Sequence, residues 1–266
     1  MSVATPEASA NRRAPFPANW LARAGWIALA AYTIYAASLF QLTWARFVEG
    51  LGNGAHFIGR MFPPMLAKWD LLWTGMSESL EIAIIATALG IALALPVGLM
   101  AARNLMPSWV SWPARGLIAL CRSFHPVIVA ILFVKAVGFG ALAGILALIV
   151  ASIGFIAKLF AEAIEEISLK QVEAVRATGA GFVNVLIMGV QPQVLARFIG
   201  FATYQLDSNL RNSTMVGIVG GGGIGATLFT AFQRFDYDYV LTILIAIITI
   251  IMIGEVLSGW VRRTFQ

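Results

Sequence analysis

The feature that most constrains this chain is a series of apolar runs, each about as long as a bilayer is thick. Residues 24–45 contain no charge, and further apolar runs follow at 82–102, 117–137, 139–157, from 194 to about 206, and 239–260. A helix crosses the hydrocarbon core in about 20 residues. Only helices and closed barrels satisfy their backbone groups there. The runs are continuous rather than alternating, so they predict an all-α, polytopic membrane protein with about six transmembrane helices. The composition agrees, with 12% charged residues and a mean hydropathy of +0.83, against about 25% charged in a soluble domain.

The net charge of +5 and pI near 9.7 do not point to nucleic acid. The basic residues sit at the ends of apolar runs, as the positive-inside rule requires, and not in one patch. With the N-terminus inside and six crossings, the inner segments hold Arg12, Arg13, Arg23, Arg103, Arg115, Lys158, Lys170, Arg176, Arg262 and Arg263. The outer ones hold only Arg46, Arg60, Lys68, Arg211 and Arg234. The expected layout is therefore a cytoplasmic tail at 1–23, a first helix and extracellular loop at 24–76, a membrane core at 77–260 and a cytoplasmic end at 261–266. Both termini lie in the cytoplasm of a cell whose inner or plasma membrane holds the chain. A cleaved signal peptide is the rival reading of 24–45, but the run exceeds the usual h-region of about 7–15 residues. The single cysteine, Cys121, excludes an internal disulfide, and His56 and His125 are not spaced as a ligand pair, so no metal site is expected.

Two segments are not simple spans. Residues 212–233 carry no charge but hold Gly217, Gly220, Gly221, Gly222, Gly223 and Gly225. Each glycine weakens a helix by about 1 kcal/mol relative to alanine. Irregular backbone is tolerated at membrane depth only where protein or a water-filled cavity surrounds it. The expectation is a broken, re-entrant element. Gly220, Gly222 and Gly225 formally match G-x-G-x-x-G, yet no βαβ context surrounds them and no Lys-Ser or Lys-Thr follows, so neither a dinucleotide nor an ATP loop is expected. A gate, a backbone-amide surface for an anion, and close packing through small residues are the open readings. The inner connection 158–193 reads as an amphipathic helix, with Glu166 and Lys170 spaced to pair at i, i+4. Gly179 and Gly181 stop it. Such a helix suits a partner's groove; a solvated loop helix is the plain alternative.

Within this connection the run Glu173-Ala174-Val175-Arg176-Ala177-Thr178-Gly179-Ala180, with Pro192 further on, resembles the coupling loop of ABC importer permeases. Val175 stands in place of the loop's second alanine, Gly189 in place of isoleucine and Gln191 in place of leucine. Leu132-Phe133-Val134, Val137-Gly138-Phe139-Gly140, the run from Ala143 to Leu148, the run from Arg211 to Gly220, and Gly222-Gly223-Ile224-Gly225 resemble phosphonate permeases. Pro126 and Lys135 depart from that family, which often has Glu and Val there. The resemblance covers about 77–260. It implies the transmembrane fold of a type I, methionine-permease-like ABC importer carrying phosphonate or phosphite. It also implies a homodimer, two cytoplasmic ATPase subunits and an extracellular or periplasmic binding protein. ATP and Mg would bind the partner subunit, with no cofactor and no catalytic residue in this chain, which is not an enzyme. Coupling to the ATPase falls on Glu173, Ala174, Ala177 and Gly179.

Charged groups in or beside spans are Arg122, Lys135, Arg197, Asp207 and Arg211. A charge at mid-bilayer costs about 2.5–3.5 kcal/mol on insertion scales, so it faces the bundle, a partner or a pathway. Guanidinium binds oxyanions in a bidentate manner. The translocation candidates are Arg211 with Asn209, Ser213 and Thr214, together with Arg122 and His125; the gate candidates are Gly220, Gly222, Gly223 and Gly225. Structural pairing of Arg211 with Asp207, and interfacial snorkelling of Arg197, are the alternatives. Another cargo such as methionine, and an ion-coupled secondary transporter, are the rival functions.

Overall fold

The computed structural model describes residues 20–40 and 43–265. Most of the expected tail at 1–23, with Arg12 and Arg13, lies outside the described residues. Those that are described form helices and no strand. The chain divides into two compact units, Met1–Gly59 and Arg60–Gln266.

The first unit holds α1 (Trp20–Leu39) and α2 (Trp44–Gly59). The expected helix over 24–45 is thus too long, because α1 stops at Leu39. The expected extracellular loop is partly helical. In α2, Trp44, Phe47, Val48 and Leu51 recur at i, i+3, i+4 and i+7 on one face, opposite Arg46, Glu49 and Asn53.

The second unit opens with α3 (Trp69–Ala101), which begins well before residue 82. Glu78 and Glu81 therefore lie inside a helix. An ion pair from Lys68 to Asp236 at 2.7 Å ties the start of α3 to the far end of the chain. The expected span 117–137 is two helices, α4 (Ser108–Ser123) and α5 (Pro126–Val137), set 90° apart. The cause is Pro126, which lacks an N–H and pushes the preceding residue out of the helical region. His125 accordingly has ψ 141, and its Nδ1 accepts the Val127 N–H at 3.3 Å. Gly138 and Gly140, both at positive φ, turn the chain into α6 (Ala141–Glu165).

Then come α7 (Leu169–Ala177), α8 (Phe182–Val185), a π-helical turn at Leu186–Val190, α9 (Gln191–Val216) and a second π-helical turn at Gly217–Gly221. Phe182–Gly221 forms a 40-residue helix, much longer than the apolar run at 194–206. After a break at Gly222 and Gly223, α10 (Ile224–Gln233) is too short to cross a bilayer, and α11 (Tyr237–Phe265) closes the chain. Among the described residues four helices are long and apolar enough to cross, or six if each bent pair is one span.

The core is built by small residues on α3 meeting small residues on α6. Gly75, Ser79, Ala83, Ala86, Gly90, Ala94, Gly98 and Ala101 are buried along α3, and Ala143, Gly144, Ala147, Ser152, Gly154, Ala157 and Ala161 along α6. Lipid tails are as apolar as leucine, so membrane helices associate through close packing and interhelical hydrogen bonds instead of through exclusion of water. Both are present. A Cβ added at Gly90 would lie 2.4 Å from Ser152 Cβ, and one at Gly98 would lie 2.9 Å from the Ala157 carbonyl oxygen. At the level of Gly90 the buried Asn209 of α9 donates to Thr87 Oγ1 of α3 and to Ser152 Oγ of α6, both at 2.9 Å. Gln205, one turn earlier, donates to Ser152 Oγ at 2.9 Å and to Asn209 Oδ1 at 3.0 Å.

Gly90→Ala should therefore pry α3 from α6 and lower stability by about 1–3 kcal/mol, the usual cost of overpacking. Gly116→Ala, on α4 where an added Cβ would meet no atom of another element within 4 Å, should be neutral or stabilising by up to about 1 kcal/mol. Thermal unfolding in detergent checks both, and equal effects would contradict this packing.

Candidate functional site

The glycine element is walled in on three sides. Gly220, Gly222 and Gly223 have φ of +101, +80 and +73, conformations that side chains rarely adopt. Space is equally restrictive. A Cβ at Gly220 would lie 2.5 Å from a Phe139 ring carbon, at Gly222 2.6 Å from Glu78 Oε1, and at Gly223 2.4 Å from Ser79 Oγ. At Gly225 it would lie 1.9 Å from the Thr214 carbonyl oxygen. The Gly140 N–H donates to the Gly220 carbonyl at 2.9 Å, and the Ile224 N–H donates to Ser79 Oγ at 2.8 Å. The break is thus latched to α3, to the α5–α6 turn and to α9 itself. The expectation of an element broken at these glycines agrees with this geometry, and all four pack closely.

The second break, between α4 and α5, carries Arg122 and His125. Gly154 lets the Arg122 stem lie against mid-α6, since a Cβ there would be 2.8 Å from Arg122 Cγ. Arg122, Arg115, Lys158 and Glu162 line a cavity of about 170 Å³ between α4 and α6. Arg115 pairs with Glu165 at 2.6 Å and Lys158 with Glu162 at 3.5 Å. Arg122 makes no ion pair among the described residues, and His125 caps α5. Lys135 lies in the last turn of α5, where the helix dipole favours a cation.

The four residues grouped around Arg211 do not share a face. Asn209 and Ser213 are both 0% exposed. Asn209 belongs to the buried amide network, and Ser213 Oγ donates to the Leu210 carbonyl at 2.8 Å. Residues two apart on a helix point nearly opposite ways, so Arg211 faces out. It pairs with Asp207 at 3.0 Å, one turn back. Asp207 is mostly buried beside Gly254 of α11, and its Oδ1 has no hydrogen-bond partner among the described residues. Thr214 reaches the glycine break through its carbonyl.

In the connection 158–193, Glu173, Ala174 and Ala177 lie on the exposed side of α7, whose only buried residue is Val172, and Gly179 is exposed just past the helix end. Gly189 is the seat for that residue, since a Cβ there would come within 3.4 Å of Val172 Cα. Gln193 accepts the Ser168 N–H at 2.9 Å and donates to the Gly189 carbonyl at 2.6 Å. Glu166 pairs with Arg197, not with Lys170 as its spacing predicts. That bond occupies Arg197. Glu165 receives the Arg103 N–H at 2.8 Å as well as Arg115. A small helix is thereby held out from the bundle on a rigid mount. Thr87, Ser152, Gln205, Glu78 and Ser79 are the residues that sequence reasoning missed. The i, i+4 pair Gln205–Asn209 inside a span was the available signal.

The bundle thus has a latched break in one helix and a mounted helix on its surface. The model of the family described as "Binding-protein-dependent transport system inner membrane component" matches residues 94–266, and the chain belongs to that family. It is 42% identical over 205 residues to "Phosphate-import permease protein PhnE" of Mycolicibacterium smegmatis, covering 76% of this chain but only 38% of that protein. It is 35% identical over 254 residues to "Phosphite transport system permease protein PtxC" of Stutzerimonas stutzeri, covering 94% of this chain and 92% of the relative. Among solved structures, a chain of the MetNI methionine ABC transporter in an inward-facing conformation superposes with a TM-score of 0.65 at 23% identity, over 74% of this chain and 98% of that one. That likeness establishes the fold of an ABC importer permease.

The Arg211–Asp207 geometry gives a direct test. Arg211→Ala leaves a mostly buried carboxylate without its cation and should cost about 3–5 kcal/mol at the buried limit, less in proportion to Arg211's exposure. The pair Asp207→Asn/Arg211→Gln should recover most of that stability in thermal unfolding. A double variant as unstable as Arg211→Ala would contradict a structural pair.

Proposed function

We propose that two copies of this chain form the translocation pathway of an ATP-driven importer for phosphorus oxyanions of the phosphite or phosphonate type. Two cytoplasmic ATPase subunits would bind ATP and Mg and do the hydrolysis. An extracytoplasmic binding protein would deliver the anion. The observation that carries this reading is the near end-to-end match to a phosphite permease. A D-methionine permease relative is 28% identical over 216 residues, so methionine is the rival cargo, supported by lower identity. Family membership argues against an ion-coupled carrier.

In this reading both termini are cytoplasmic, α7 faces the ATPases, and the glycine break lies toward the outer side. ATP binding draws the two α7 helices together. The motion passes along the 40-residue helix to the latched glycines, which act as the gate. Arg122, without an ion pair among the described residues, lines the α4–α6 cavity with Arg115 and Lys158, where its planar fork suits an oxyanion. Arg211, held by Asp207, is the weaker contact of the two.

The purified complex with its binding protein tests the cargo: phosphite or a phosphonate should stimulate ATP hydrolysis, and methionine should not. Gly179→Asp tests the coupling. Gly179 has φ +80 and open space around its Cβ in this subunit, and Asp tolerates that conformation. The change should leave membrane insertion normal and cut stimulated hydrolysis by roughly tenfold, the worth of about 1.4 kcal/mol at an interface. Unchanged stimulation would place the ATPase contact elsewhere.

A further inference from the structure

The turn between α10 and α11 contains the one non-glycine residue among those described that has a positive φ. Phe235 sits at φ +59. Its N–H donates to the Phe232 carbonyl, and the Asp236 N–H donates to the Ala231 carbonyl, both at 3.1 Å. These two bonds make a Schellman cap, whose left-handed position is normally glycine. A phenylalanine there is strained, and burial does not explain it, because Phe235 is 69% exposed. Its ring lies edge-on to that of Tyr237, at 6.1 Å between centroids.

Charged side chains surround the turn. Arg60 lies 4.7 Å from the Tyr237 ring centre, and Lys68 both pairs with Asp236 and lies 5.0 Å from the Tyr239 ring centre. Beside the turn is a cavity of about 330 Å³ lined by Lys68, Thr227, Thr230, Arg234, Asp236 and Tyr239. Its lining carries two cations against one carboxylate, and Arg234 makes no ion pair among the described residues. An aromatic knob inside a polar rim, next to an open cationic socket, is the anatomy of a protein interface anchor. A lipid-facing aromatic belt gives no reason for the strain, since an interfacial ring serves equally well on an unstrained neighbour. Strain that the fold does not need points to function.

We propose that Phe235 and the adjacent socket dock the binding protein, the ring entering an apolar cleft on that protein and one of its carboxylate side chains entering beside Arg234. This rests on the permease reading and on the outward placement of the turn. The test uses the complete complex in nanodiscs with the binding protein that stimulates its ATPase. Phe235→Gly should leave the unfolding midpoint unchanged or raise it, because the backbone strain is relieved. The same variant should raise the half-saturating concentration of binding protein roughly tenfold or more. Arg234→Gln should raise it severalfold, with a weaker dependence on salt than the unaltered complex. An unchanged half-saturating concentration in Phe235→Gly would overturn the proposal. So would a lowered unfolding midpoint, since the ring would then be packing within the chain. No stimulation of the unaltered complex by any binding protein would instead overturn the permease reading, and this docking site with it.

Discussion

Everything in the membrane core depends on how closely α3 and α6 approach. Their facing residues are glycine, alanine and serine, and the approach leaves no room for one added methyl at Gly90. Closeness of this kind brings Thr87 and Ser152 within reach of a single amide on α9. In hydrocarbon an unmade hydrogen bond is costly, so Asn209 and Gln205 hold α9 in one rotation and one height against the pair. Interhelical hydrogen bonds in membranes are individually worth only about 0.6–2 kcal/mol. Their larger effect here is to fix register, because small residues alone allow sliding.

That fixed register gives the rest of the chain its geometry. The helix containing Asn209 continues toward α7 at one end and toward the glycine break at the other, over 40 residues. At 1.5 Å per residue it is about 60 Å long. One end carries the mount made by Gln193 and Arg197, and the other carries the backbone latch between Gly220 and Gly140. A displacement of α7 would therefore reach the break through α8 and α9, with one π-helical turn at Leu186–Val190 that can absorb a change in pitch and a backbone kink at Gly220 where the helix ends. This is the physical route by which a partner's hydrolysis would open a pathway in a subunit with no nucleotide loop of its own.

Much of this was legible in the sequence, for definite reasons. Apolar runs of bilayer length report spans directly, and the glycine cluster reports a break because side chains rarely adopt φ near +80 and none has room at Gly222. The segment proposed to couple stood out through its resemblance to a permease loop, and the structure gives it an exposed helix, α7. What was not legible is what depends on facing. Asn209 and Arg211 are neighbours in sequence but lie on opposite sides of α9, so a polar cluster read along the chain became one buried hub and one exposed ion pair. Glu166 had two cations in reach, and only tertiary structure selects Arg197 over Lys170. The helix start at Trp69 was hidden because charged turns can be helical when ion pairs, here Lys68 with Asp236, secure their ends. The bend at His125 was available from Pro126 and was overridden by the continuous apolar run.

The central claim is that this chain conducts a phosphorus oxyanion under the control of a separate ATPase. Uptake of radiolabelled phosphite into proteoliposomes holding the complete complex tests it most directly. The account predicts accumulation against a gradient only with the binding protein outside and ATP supplied to the ATPase side. Accumulation driven by a proton or sodium gradient without ATP, or none under any condition while another solute is taken up, would contradict it.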